Sequence, residues 1–125
     1  MGGPIIKTLK LKIGWTNGTP HLDNKDLLVP FGSTRHTTYL IESDIDIFDA
    51  RKNIADQIFN ELELAAWHDF IIPTKRGGRL LKYLKARYEK AMDALPTNIK
   101  FQVNNEQVRA QIFLEYGLGF LEGGI

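Results

Sequence analysis

Leu9, Leu11, Ile13 and Trp15 alternate with Lys10 and Lys12 across residues 5–15, a period-two pattern that predicts a strand with one buried and one basic face. Asn17-Gly18 and Pro20 end that strand. A second alternation sets Tyr39, Ile41, Ile45 and Ile47 against Glu42, Asp44 and Asp46, so another strand with an acidic outer face is expected. Laid side by side and antiparallel, the two bring Lys10 and Lys12 near Glu42 and Asp44. Such opposite-charge pairing across strands stabilises a specific neighbour by about 0.2–1 kcal/mol.

The period then lengthens. Ile54, Ala55, Ile58, Phe59, Leu62, Ala65 and Ala66 fall on one side of a helix expected from about Ala50 to Trp67, with Asp56, Asn60 and Glu63 opposite. The breaker cluster Thr74-Lys75-Arg76-Gly77-Gly78 separates it from a second amphipathic helix carrying Leu80, Leu81, Leu84, Tyr88, Ala91, Met92 and Leu95, which Pro96-Thr97-Asn98 stops. Residues 99–103 and 108–116 both alternate around Asn104-Asn105. A two-residue turn there puts both apolar faces on the same side, the register of a hairpin.

The resulting order, β-β-α-α-β-β, predicts an α+β fold: an antiparallel sheet of about four strands with two amphipathic helices packed on one face. Ile13, Trp15, Tyr39, Ile41, Ile58, Leu62, Leu84, Tyr88, Phe101 and Ile112 are its expected core. A length of 125 residues fits a single domain, 1–125, that includes an irregular segment, 16–35, and a Gly-rich apolar tail, 117–125.

Composition narrows the chemistry. With no cysteine, disulfides, thiolate metal sites and cysteine nucleophiles are excluded. A net charge of +1 gives no global field for nucleic acid or membranes. The longest apolar runs, such as residues 27–31, fall far short of the roughly 18 residues a membrane span needs. The start Met1-Gly2-Gly3-Pro4 lacks the regions of a signal peptide. A soluble, cytoplasmic or otherwise intracellular protein without a membrane partner is expected, and no cofactor fingerprint is present.

Charge is distributed unevenly. Seven basic residues stand against one acid between Lys75 and Lys90, and seven acids against two bases between Glu42 and Glu63. Lys75, Arg76 and Arg79 crowd a helix start, where the macrodipole favours negative charge. With Gly77, Gly78 and Lys82 they form a candidate site for an anion or a nucleic-acid backbone. The plainer reading is that the acidic segment neutralises them. Glu42, Asp44 and Asp46 on one strand face would be the ligands of a metal-dependent hydrolase, or else an ordinary strand rim. His21, His36 and His68 show no ligand spacing, and His68-Asp69 has no evident nucleophile to serve.

No catalytic set emerges, whereas two apolar segments ask for a surface. Leu118, Phe120, Leu121 and Ile125 lie in the glycine-rich tail, and Leu27, Leu28, Val29 and Phe31 in the irregular segment. Large apolar side chains on costly-to-order backbone suit a partner that fixes them. The expectation is therefore a non-enzymatic assembly or protein-interaction module: a homo-oligomer or a repeated subunit of a larger particle, virus and phage particles included.

Overall fold

The computed structural model describes residues 6–88, 96–103 and 105–116. Its first alternating run forms β1, Ile6–Leu11, and breaks at Lys12. Two short strands follow, β2 at Ile13–Thr16 and β3 at Thr19–Leu22. Asn17 and Gly18 between them have φ of 53° and 77°, the positive values of a type I′ hairpin turn. Pro20 sits opposite Trp15 in this two-stranded ribbon, where an edge position tolerates a residue without N–H. The irregular segment then holds a short helix α1, Asn24–Leu28, and a 3₁₀ turn, Val29–Gly32. Asp23 caps α1 by accepting the Lys25 N–H at 3.0 Å.

The remaining elements are β4 (Thr38–Ser43), α2 (Lys52–Leu64), β5 (Asp69–Thr74), α3 (Gly77–Tyr88), β6 (Ile99–Val103) and α4 (Glu106–Tyr116). The main sheet is parallel, in the order β1-β4-β5-β6, with the β2–β3 ribbon separate and antiparallel. The class is α+β, but the expected antiparallel sheet with two helices in the order β-β-α-α-β-β is not what forms. β1 and β4 are neighbours as expected, with Lys10 level with Glu42, yet they run in the same direction.

Two local features underlie the difference. Residues 69–74 form a strand with Phe70, Ile71 and Ile72 all buried. A strand covered on both faces shows no alternation. Pro73 lies beyond Leu40–Ile71, the end of the β4–β5 register, so its missing N–H removes no bond on that side. The second concerns residues 108–116, which belong to helix α4. Asn105 is its cap and not half of a turn: its side chain accepts the Val108 N–H at 3.1 Å and its carbonyl the Arg109 N–H at 3.0 Å.

Strand order follows the sequence without reversal, so right-handed crossovers place α2 and α3 on one face of the sheet. There Leu9 beside Ile41, and Ile72 beside Phe101, meet Ile54, Ile58, Phe59 and Leu62 of α2 and Leu80 and Leu84 of α3 in one cluster. Each such side chain, fully buried, contributes about 1.5–3 kcal/mol. The expected core residues all join it except Trp15, which is 60% exposed on the ribbon, and Ile112, whose side chain lies outside the description.

Candidate functional site

Because the sheet is parallel, Leu11, Ser43, Thr74 and Val103 end at one edge, and the loops leaving them gather most of the charged candidates there. Open α/β sheets bind ligands at this edge where the strand order reverses and two loops part. Here the order does not reverse, and the loops are stitched together instead. Asp46 accepts the Thr74 hydroxyl at 2.8 Å, the Lys75 N–H at 3.0 Å and the Phe48 N–H at 3.0 Å. Asp44 accepts the Ile13 N–H at 3.1 Å. Glu42 stays exposed beside Lys10, on the sheet face away from the core cluster. The three carboxylates are thus spread over separate tasks, and no group of three or more metal-ligating side chains forms among the described residues.

The basic helix start is likewise engaged. Arg76 Nε lies 2.9 Å from Asp49, whose other oxygen takes Arg79; the acidic segment supplies their counter-charge. Gly77 has a packing role, since a Cβ there would come within 3.0 Å of Val108 on α4, while Gly78 faces open space. Lys75 and Lys82 have no ion-pair partner among the described residues.

No protein-family model, curated protein or solved structure matches this chain. Function must be argued from its own surface. Among the described residues no helix is long and apolar enough to cross a membrane.

The opposite edge of the sheet carries apolar side chains in water. Leu28 is 56%, Val29 53%, Phe31 38% and Trp67 39% exposed. Phe31 and Trp67 meet edge to face with centroids 5.6 Å apart, and Trp67 Nε1 donates to the Ser33 carbonyl at 2.8 Å. Beneath them His68 is fully buried, with Nε2 at 2.8 Å from the Pro30 carbonyl and Nδ1 accepting the Thr37 N–H at 3.0 Å. Asp69 pairs with His36, not with His68. Leu27, expected on the surface, points into the core; Leu118, Phe120, Leu121 and Ile125 lie outside the described residues. Trp67 was not among the expected site residues, although at helical spacing it falls with Asp56, Asn60 and Glu63 and not with the apolar stripe.

A polar network closes the outer seam between α2 and α3. Arg87 donates to Asp56, Asn60 and Glu63, Tyr83 donates to Asp56 at 2.6 Å, and Tyr88 donates to Glu63. Burial and then the neighbouring carboxylates push both tyrosines above their ordinary range. For Asp56 burial acts upward, but the Tyr83 hydroxyl, Lys52 and Arg87 together outweigh it and hold the carboxyl below its ordinary 3.8. Its ionised form therefore adds stability in full above pH 3.8, and this is lost as pH falls through the lower folded value. Asp56→Asn should cost about 1 kcal/mol at neutral pH and flatten the acid slope of the urea midpoint. An unchanged slope would contradict this.

Proposed function

We propose that the chain is a non-enzymatic assembly module that associates with copies of itself through Leu28, Val29, Phe31 and Trp67. The observation that carries this reading is the fixed geometry of the exposed aromatic pair. Phe31 and Trp67 are held by each other, by the Ser33 carbonyl and by the turn that His68 anchors. Aromatic side chains ordered before binding give up little entropy when a partner covers them, and they dominate interface energetics. Exposed apolar residues scattered singly need no explanation, but a braced, exposed aromatic pair, with Leu28 and Val29 exposed close by in the chain, supports an interaction surface. The internal use of Asp44, Asp46 and Asp49 supports the non-enzymatic part of the reading. A repeated subunit of a larger particle is the kind of role it suits.

The test is the Val29→Glu, Phe31→Glu double variant. Both side chains face water, so helical circular dichroism should be retained while the solution mass shifts to that of a monomer. An unchanged oligomeric mass in the folded variant would remove this surface from the account.

A further inference from the structure

A groove lies on the other side of the molecule, between the first turn of α2, residues 47–50 and the first turns of α3. Its volume is about 370 Å³, within the range of about 300–1,000 Å³ that bound ligands occupy. Phe48, Ala55 and Tyr83 form its floor, and Lys52, Arg79 and Lys82 stand on its banks. Asp49 is the one acid lining it among the described residues, and it already accepts from Arg76 and Arg79. Lys52 meets Asp56 at 3.4 Å, while Lys82 has no carboxylate partner among the described residues. The α2 start adds to the positive field, for it has no side-chain cap and no acid in its first turn.

We propose that this groove docks an acidic segment of a partner protein. One apolar side chain would rest on the Phe48–Ala55–Tyr83 floor, with flanking carboxylates against Lys52, Lys82 and Arg79. Charge complementarity selects the acidic occupant. Base stacking needs open aromatic faces, which Phe48 and Tyr83 at 7% and 8% exposure do not offer; the same low exposure leaves the cations as the main source of affinity and the apolar contact as the smaller one. The proposal does not depend on self-association through Phe31 and Trp67.

The experiment titrates the full chain into a fluorescently labelled peptide, Asp-Glu-Phe-Asp-Glu, at low salt, and follows polarisation. Saturable binding is expected, weakened about tenfold by Lys82→Glu and again by Lys52→Gln. Replacing the peptide's phenylalanine by serine should weaken it several-fold. Lys82 is exposed, so its variant should keep the native circular dichroism. Three outcomes would overturn the proposal: no binding by the unaltered chain, equal affinity for folded Lys82→Glu, or tighter groove-dependent binding of a single-stranded oligonucleotide.

Discussion

Replacing His68 by alanine is expected to destabilise the protein by about 3–6 kcal/mol. The Thr37 amide is a donor, so Nδ1 of His68 must accept, which places the ring proton on Nε2 facing the Pro30 carbonyl. Alanine leaves both backbone groups buried without their partner, at about 1–3 kcal/mol each. It also removes a ring packed against Tyr39, Trp67 and Phe70, with centroids 5.2, 5.0 and 6.4 Å away. His68→Asn, which can keep one of the two bonds, should fall between. Urea unfolding followed by circular dichroism measures all three proteins. A loss for His68→Ala below about 1 kcal/mol, the net worth of one ordinary hydrogen bond, would show that the imidazole does not hold these segments together. The same substitution should loosen the turn that presents Val29 and Phe31, so association should weaken with stability.

Asn98 is the second position where a large effect is expected. Its Nδ2 donates to the carbonyls of Leu62, Ala65 and His68 at 3.1, 3.4 and 3.1 Å, while its backbone carbonyl accepts the Phe70 N–H at 2.7 Å. One buried amide thus closes the end of α2 and the loop into β5, where a helix leaves its last carbonyls unpaired. Asn98→Ala should cost about 2–4 kcal/mol by withdrawing that donor. Asn98→Asp should be worse than alanine, because it points a carboxylate at three carbonyl oxygens. Thermal unfolding at neutral pH compares them. An aspartate variant as stable as the unaltered chain would contradict this role.

Helices α2 and α3 were legible because Ile54, Ile58 and Leu62, and Leu80, Leu84 and Tyr88, recur at helical spacing and all are buried. Strand direction was not legible. Leu9 and Ile41 alternate with Lys10 and Glu42 whichever way the strands run, and only the crossover helices decide between the two. β5 was hidden by burial on both faces, and α4 by a short period-two run behind a capping asparagine. At the candidate site, the charge imbalance between the two segments was legible as mutual neutralisation, but that Asp49 is the residue that meets Arg76 and Arg79 came only from the fold. The tasks of Asp44 and Asp46 followed only from loops that the parallel topology brings to one edge. The surface at Leu28, Val29 and Phe31 was expected from apolar residues in an irregular segment. Its fourth member, Trp67, comes from the turn between α2 and β5, and the one sequence hint of its exposure is that it falls in helical phase with Asp56, Asn60 and Glu63.

The most direct test of the central claim is the mass of the unaltered chain by sedimentation velocity across a dilution series from micromolar to near-millimolar protein. Self-association through this surface predicts a mass that rises with concentration to at least a dimer, and a Val29→Glu, Phe31→Glu variant that stays monomeric over the same range. An unaltered chain that remains monomeric at the highest concentration would contradict self-association through this surface.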